Sequence, residues 1–159
     1  MLIARGTELD APTAAAILRE VSEWLSNQGR KLWDPDEISD EDIADHARAG
    51  ELIIGREGEE AAACMYLQLS DDLFWPHADA ALYVHRLAVR RAFAGRGLAR
   101  AMLEWAVTEA RRCGRPFVRL DTELRPSLLR LYEGAGFIRV DSAPIIVGTH
   151  EVVRFERQV

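Results

Sequence analysis

A glycine-rich turn between a strand and a helix is the part of the sequence best suited to chemistry. The strand runs from Leu82 to Val89, the turn contains Gly95 and Gly97, and a helix follows over Arg100 to Arg112. A helix that begins at such a turn offers unpaired backbone N–H groups, and its dipole favours negative charge there. The pattern predicts a site for a phosphate or pyrophosphate. The alternative is an ordinary tight loop, since a bare Gly-x-Gly does not separate the two.

A second strand and helix follow and end in a distinctive motif. The strand is Phe117 to Asp121, and the helix ends in Tyr132-Glu133-Gly134-Ala135-Gly136-Phe137. Together with Gly97-Leu98-Ala99, this motif resembles the GNAT superfamily of acyl-CoA N-acyltransferases. Members of that family carry Arg/Gln-x-x-Gly-x-Gly/Ala after a strand and Tyr-x-x-x-Gly-Phe further along. The resemblance covers Leu82 to Ile138.

Two positions depart from the family pattern. Ala94 occupies the usual Arg or Gln position, which the turn tolerates if backbone amides hold the pyrophosphate with Arg96 or Arg100 nearby. Arg125 stands where many relatives carry Asn, and this position makes Arg125 a candidate cofactor contact.

The resemblance implies a fold and an activity. The expected fold is α/β, with a central mixed sheet of about six or seven strands flanked by about four helices, in one domain over residues 1–159. The expected activity is transfer of an acetyl group from acetyl-CoA to a primary amine, by direct attack in a ternary complex and without a metal. A small-molecule acceptor is favoured, and a homodimer is left open.

The resemblance also implies where the cofactor binds. The backbone of the central strand would pair with the pantetheine arm, and an N–H near Val89 would polarise the acyl carbonyl. The glycine-rich turn would hold the pyrophosphate. The implied cofactor-binding residues are Leu87, Ala88, Val89, Ala94, Gly95, Arg96, Gly97, Leu98, Ala99, Arg100 and Arg125.

Two side chains are candidates for proton transfer. Tyr132, in the Tyr-x-x-x-Gly-Phe motif, is the candidate general acid, because a tyrosine with a pKa of about 10 is protonated at neutral pH. A core tyrosine packed on Leu128 and Leu131 is the alternative. His85, in the central strand, ranks first as general base, and a structural histidine remains the alternative. Asp121 and Glu123 are further candidate bases.

Tryptophans in the predicted loops are candidates for binding the acceptor. Trp33 and Trp75 fall in loops, where binding residues concentrate, and an aromatic face attracts an ammonium group. Trp24 lies at helical spacing and is predicted to belong to the core.

Three other functions compete with a small-molecule acetyltransferase. A dinucleotide fold would use Gly95, Gly97 and Asp121, but Arg100 replaces its third glycine and the chain is short for two mononucleotide halves. An enzyme that acetylates protein N-termini or lysines would share every motif described above. A non-catalytic acyl-CoA-binding module would also keep the turn, although Tyr132 argues against it.

Composition excludes some classes of partner and location. The net charge of −6 disfavours a general nucleic-acid binder, and no apolar run approaches the length of a membrane span. Acids dominate Asp34 to Glu60, and arginines dominate Arg86 to Arg119. The basic segment could hold an anionic cofactor and the acidic segment could attract a cationic acceptor; the alternative is that both are solvated faces. Cys64 and Cys113 lack metal-ligand spacing, so buried thiols and a cytoplasmic location are expected. The N-terminus does not resemble a signal peptide.

The elements that must position these residues follow from periodicity, capping and turn signals. The predicted order is β-α-α-β-β-β-α-β-α-β-β. The predicted elements are strands at Leu2 to Arg5, Glu51 to Arg56, Ala61 to Leu69, Ala80 to Val89, Phe117 to Leu120, Phe137 to Asp141 and Glu151 to Arg157, with helices from Asp10 to Asn27, Ser39 to Gly50, Arg100 to Arg112 and Ser127 to Ala135.

Overall fold

A computed structural model describes residues 1–30, 33, 35–76, 80–148 and 150–159. Parts of the loops predicted over 28–38 and 70–79 fall outside these residues. The chain forms two compact units, each built from two segments. The first unit comprises Met1–Tyr66 and Arg86–Met102, and the second comprises Leu67–His85 and Leu103–Val159.

The first unit contains part of the sheet and two helices, and its first three strands pair antiparallel. Its strands lie in the order β1-β2-β3-β4, although the end of β3 and the start of β4 belong to the second unit. The β2–β3 connection is the predicted hairpin, with Gly58 at a φ of +60°. The elements are β1 Leu2–Arg5, α1 Ala11–Ser26, α2 Asp40–Arg48, β2 Leu52–Glu57, β3 Glu60–Gln68 and β4 Ala81–Val89.

Capping and periodicity explain the two helices of this unit. Ser39 accepts a hydrogen bond from the N–H of Asp42 at 3.0 Å, so the predicted cap of α2 is confirmed. Asp10 precedes α1 as predicted, but its carboxylate does not cap the helix. It accepts instead from the backbone N–H of Thr7 at 2.8 Å. Ile17 and Leu18 on α1 are fully buried, because their spacing places them on the side facing the sheet.

The second unit carries parallel and antiparallel strands. Its order is β4-β5-β8-β6, with β7 also paired to β8. β4 and β5 run parallel, whereas β5 and β8 run antiparallel over six residue pairs from Phe117↔Gln158 to Thr122↔Val153. The elements are β5 Phe117–Thr122, α4 Pro126–Gly134, β6 Ile138–Arg139, β7 Ile145–Val147 and β8 His150–Gln158; α3 Leu98–Arg112 begins in the first unit and ends in this one.

The sequence prediction of a mixed sheet with four helices is confirmed, with two differences in the strands. The structure adds β7, and β6 is shorter than the predicted strand from Phe137 to Asp141. Both differences fall in the last third of the chain, where strands of two and three residues carry too little periodicity to be recognised. The expectation of two buried thiols is correct for Cys64 and wrong for Cys113, which follows the end of α3 and is exposed.

Within the described residues, no helix has both the length and the apolar character that crossing a membrane requires.

Candidate active site

The glycine-rich turn lies in the first unit and has the backbone geometry of a helix start. Gly95 and Gly97 have φ angles of +77° and +78°, a region that side-chain-bearing residues rarely adopt. Gly97 accepts the first helical hydrogen bond, from the N–H of Ala101 at 3.0 Å. Helix geometry leaves the N–H groups of Leu98, Ala99 and Arg100 without a carbonyl one turn earlier. These amides can therefore donate to a ligand.

Open space surrounds the two glycines. A Cβ atom built at Gly95 or Gly97 would meet no other protein atom within 4 Å. The left-handed backbone, rather than crowding by the protein, therefore requires glycine at both positions. The space that a Cβ would occupy is available to a ligand, so the turn fits a pyrophosphate.

The arginines around the turn differ in what they contact. Arg90 lies 3.7 Å from a carboxylate oxygen of Glu20, and the guanidinium carbon of Arg91 lies 3.7 Å from the ring centroid of Trp24. Arg96 and Arg100 are exposed, and the guanidinium carbon of Arg96 is 5.1 Å from the ring of Phe93. The exposed pair supplies positive charge beside the turn.

β4 contains a backbone irregularity between the two sets of candidate residues. Arg86 has a φ of +49°, which is uncommon for a residue other than glycine and marks a local departure from strand geometry. The parallel ladder between β4 and β5 covers Ala81 to Tyr83, although β5 continues beyond the last pair to Thr122. On the far side of Arg86, Ala88 is buried while Leu87 and Val89 are half-buried.

His85 lies between two carboxylates in the second unit. Its Nε2 is 3.3 Å from Oδ2 of Asp71, and its Nδ1 is 4.0 Å from Oδ1 of Asp121. The side chain of Asp71 is 5% exposed, whereas those of His85 and Asp121 are 21% and 14% exposed. The histidine therefore has one buried carboxylate and one more accessible carboxylate as neighbours.

Asp71 is ionised in this arrangement. Burial acts to raise the pKa of its carboxyl, but the neighbouring imidazole of His85 and the hydrogen bond from the backbone N–H of Phe74 outweigh burial and hold that pKa below its ordinary value. The Phe74 N–H lies 3.0 Å from Oδ1 of Asp71. Oδ1 of Asp71 accepts this hydrogen bond, whereas Oδ2 lies 3.3 Å from Nε2 of His85 and has no hydrogen-bond partner among the described residues.

Tyr132 is buried beside the same Asp121. Burial and the negative charge of Asp121 raise the pKa of Tyr132 to about 12, against the opposing effect of a hydrogen bond with Thr122. Its ring centroid is 5.8 Å from that of Phe155 and 6.3 Å from that of Phe137. The hydroxyl is therefore protonated at neutral pH.

The structure brings together only part of the predicted site. His85 and Asp121 lie close together in the second unit, which also contains Tyr132, whereas the turn and Leu87 to Val89 belong to the first. Glu123 forms an ion pair with Arg125, and the carbonyl of Arg125 accepts from the N–H of Leu128 at the start of α4. The guanidinium of the candidate cofactor contact Arg125 is thus already paired within the chain.

Sequence reasoning missed Asp71 and misjudged Trp75. Asp71 stands in a loop with no motif around it, so only the folded chain reveals that it contacts His85. Trp75 is 5% exposed, and the guanidinium carbons of Arg119 and Arg154 lie 4.9 and 5.0 Å from its ring. The hypothesis that Trp75 offers an open face to an acceptor is therefore corrected, because arginines of the protein cover it.

Trp33 and Trp24 lie in the first unit. Trp33 packs against the core around Ile17 and Leu18, and its carbonyl accepts from the Ser22 hydroxyl at 3.0 Å. Trp24, predicted to belong to the core, is half-buried under Arg91.

Comparison with known proteins decides the family. Residues 18–137 match the family model described as the acetyltransferase (GNAT) family. The chain belongs to this family. The chain is also 31% identical over 121 residues to a Bacillus subtilis (strain 168) protein named uncharacterized N-acetyltransferase YesJ, across 70% of this chain and 67% of that protein. Membership makes the protein an acyl-CoA-dependent N-acetyltransferase.

Solved structures of GNAT proteins share the fold. An acetyltransferase of the GNAT family from Streptococcus agalactiae 2603 superposes with a TM-score of 0.83 at 18% identity, over 99% of this chain and 95% of that one. The yncA protein of Salmonella typhimurium, solved with its cofactor acetyl-CoA, gives 0.77 at 17% identity over 99% and 93%. The paia N-acetyltransferase of Thermoplasma acidophilum, solved with coenzyme A, gives 0.77 at 14% identity over 99% and 98%.

Proposed function

We propose that this GNAT acetyltransferase moves an acetyl group from acetyl-CoA to a primary amine, with a small molecule favoured as acceptor, by direct attack in a ternary complex. One observation carries the proposal. An imidazole that can accept a proton lies 4.0 Å from the carboxylate of Asp121, and the negative charge of that carboxylate raises the pKa of a phenol that can donate one. Amide formation from a thioester needs both transfers.

The cofactor contacts follow from the glycine-rich turn. The amides of Leu98, Ala99 and Arg100 donate to the pyrophosphate, and Arg96 and Arg100 add positive charge. The backbone of Leu87, Ala88 and Val89 pairs with the pantetheine arm. Ala94, Gly95 and Gly97 shape the turn. Acetyl-CoA supplies the thioester whose carbonyl carbon is attacked.

His85 acts as the general base and Tyr132 as the general acid. His85 takes a proton from the acceptor nitrogen, and the Tyr132 hydroxyl faces the departing thiolate. A pKa of about 12 keeps Tyr132 protonated until that charge develops. The hydrogen bond with Thr122 acts in the opposite direction to burial and lowers the pKa of Tyr132.

The cysteines support direct transfer over an acyl-enzyme route. Burial raises the pKa of the Cys64 thiol to about 12, so its reactive thiolate form is scarce at neutral pH. Cys113 follows α3 at Arg112, the end of that helix opposite the glycine-rich turn. Both thiols are free, which favours the cytoplasm as the location. We further propose that residues 1–159 act as one catalytic domain.

Thiol release from acetyl-CoA across a panel of acceptors tests the proposal. The panel contains polyamines, amino acids, aminoglycosides, and peptides with free N-termini or lysines. We expect at least one small amine to be acetylated, with dead-end and product inhibition typical of a ternary complex. Turnover on peptides alone would replace the small-molecule acceptor by a protein. Tight CoA binding with no turnover on any amine would favour the non-catalytic module.

A further inference from the structure

We propose that Arg86 and Tyr66 form a site for the carboxylate of the acceptor, so that the acceptor is an amino acid or another amine that carries an acidic group. The inference rests on the proposed function, because it names the substrate class of the same reaction. Both residues lie in the first unit, Tyr66 on β3 and Arg86 on β4. Neither a sequence motif nor the family comparison assigns a role to either of them.

The hydroxyl of Tyr66 is a buried polar group without a partner. The residue is 3% exposed, and its oxygen forms no hydrogen bond within the part of the chain that the structure describes. The imidazole of His46 stacks on the ring, with centroids 4.1 Å apart and an interplanar angle of 24°, and holds it in place. Burial raises the pKa of this hydroxyl against the opposing charge of Arg86, so the hydroxyl is protonated at neutral pH and can donate. A buried donor of this kind destabilises a protein unless a partner binds it.

The guanidinium of Arg86 lies beside the same ring and also lacks a partner. Its central carbon is 6.0 Å from the ring centroid of Tyr66. Its Nη1 is buried without a hydrogen bond, and no carboxylate of the described residues forms an ion pair with it. A buried cation is unfavourable unless an anion and hydrogen bonds compensate it. The φ of +49° adds backbone strain at this residue, and such strain is concentrated in sites that bind ligands.

Two carboxylates of the protein lie near Tyr66, but their contacts are with His46. The charges of Asp42 and Glu51 both act to raise the pKa of Tyr66. Oε2 of Glu51 is 2.6 Å from Nδ1 of His46, and Oδ2 of Asp42 is 3.9 Å from Nε2 of the same ring. An anion that compensates Arg86 therefore has to come from a ligand.

A carboxylate has the chemistry that these two groups require. It only accepts hydrogen bonds, and its two oxygens match the planar fork of a guanidinium while the Tyr66 hydroxyl donates a further bond. The acceptor is the source of this carboxylate, because Arg86 directly follows the candidate base His85 in the chain. A buried water is the competing occupant. It would satisfy the hydroxyl and Nη1 but would leave the charge of Arg86 uncompensated.

Pairs of amino acids and their amides test the proposal, because the amide keeps the amine and replaces the carboxylate by a neutral group. We expect kcat/KM to be at least tenfold higher for the best amino acid than for its amide, mainly through KM. Arg86→Gln should abolish that preference, and Arg86→Lys should restore part of it. Comparing the preference between variants cancels the difference in amine pKa between the two acceptors.

Arg48→Gln is the matched control. It also removes one positive charge from the first unit, but from an exposed arginine of α2 that pairs with Glu8 at 2.8 Å. The preference for the amino acid should be unchanged in this variant. A wild-type enzyme without the preference, or a preference that survives Arg86→Gln, would overturn the proposal.

Tyr66→Phe separates a binding role of the hydroxyl from a structural one. Removal of a buried hydroxyl that has no partner should leave the Tm of the ligand-free protein unchanged or raise it. In the same variant the KM for the amino acid should rise several-fold, while the KM for acetyl-CoA stays the same. A lower Tm with both KM values unchanged would show that the hydroxyl is structural and would remove Tyr66 from the site.

Calorimetric titration with N-acetyl derivatives of the amino acids in the panel tests the site without turnover. These compounds keep the carboxylate but have no free amine, so they cannot be acetylated. The wild type should bind them more tightly than their amides, and Arg86→Gln should bind both equally. If no amine is acetylated, the proposed function fails while this measurement still tests the carboxylate site. Equal turnover of acids and amides, with added acetate raising both rates, would assign the site to a separate anion and overturn the proposal.

Discussion

The glycine-rich turn and the cluster around His85 are built in opposite ways. The turn uses contiguous residues, and its donors are backbone amides whose positions follow from the φ angles of Gly95 and Gly97. The cluster uses side chains from four separate segments, at Asp71, His85, Asp121 and Tyr132. Substitutions in the turn should therefore act by changing the backbone conformation, whereas substitutions in the cluster should act by removing reactive side-chain groups.

The largest effect is expected at Tyr132, where a single oxygen matters. Tyr132→Phe should lower kcat by roughly 10²–10⁴-fold while acetyl-CoA affinity and thermal stability change little, because the ring and its aromatic contacts remain. Steady-state kinetics, a CoA titration and a melting curve separate the three quantities. Tyr83→Phe, at another buried tyrosine of the second unit, is the control and should keep kcat. A folded Tyr132→Phe variant with full kcat would exclude Tyr132 as the acid.

Backbone damage at the turn should give the next largest effect. Gly97→Ala should weaken CoA binding by roughly tenfold or more, since it strains a left-handed position and puts a methyl group in the open space of the cradle. Calorimetric titration with CoA measures this loss. Gly58→Ala is a matched control, because Gly58 also has a positive φ with open space around it but lies in the β2–β3 turn. If both variants lost the same affinity, the turn would have no special role.

The ion pair of Asp141 and Arg154 should affect stability and leave chemistry intact. Arg154 donates to Asp141 at 2.8 Å through Nη2 and at 3.0 Å through Nε, and these hydrogen bonds lower the pKa of Asp141. A carboxyl with a lowered folded-state pKa adds stability above its unfolded pKa of about 4, and this stability is lost as the pH falls through the folded value. Asp141→Asn should cost about 1–2 kcal/mol at pH 7 and much less near pH 2.

Denaturant unfolding at the two pH values measures that difference. Asp72→Asn, at an exposed carboxylate, should show little effect at either pH. A loss for Asp141→Asn that is equal at pH 7 and pH 2 would contradict the assigned charge interaction.

Salt should produce the smallest effect, a few-fold weakening of CoA binding as ionic strength rises. Arg96 and Arg100 are exposed, so their attraction to phosphates is screened. Titrations with CoA and NAD over a salt series measure it, and NAD should bind poorly throughout. Equal affinity for NAD and CoA would favour the alternative that the chain is a dinucleotide-binding fold.

Sequence patterns found the turn, the Tyr132 motif and the element order because each depends on neighbouring residues. Strand periodicity, the Ser39 cap and the need for glycine at a positive φ are local properties. The short strands β6 and β7 were harder to predict, since two or three residues form a strand only when β8 pairs with them. The prediction for Trp75 was wrong for a related reason, because its loop position does not indicate that Arg119 and Arg154 cover its ring.

The sequence by itself determined the family, the fold class and the glycine-rich turn, whose backbone amides are positioned by local geometry. Only the tertiary structure decided which carboxylates meet His85. Asp71 and Asp121 are distant in sequence, and the parallel pairing of β4 with β5 and the loop before β4 place both beside the imidazole. The environment of Tyr132 was decided in the same way, since burial and the charge of Asp121 set its pKa and neither can be read from the residues next to it.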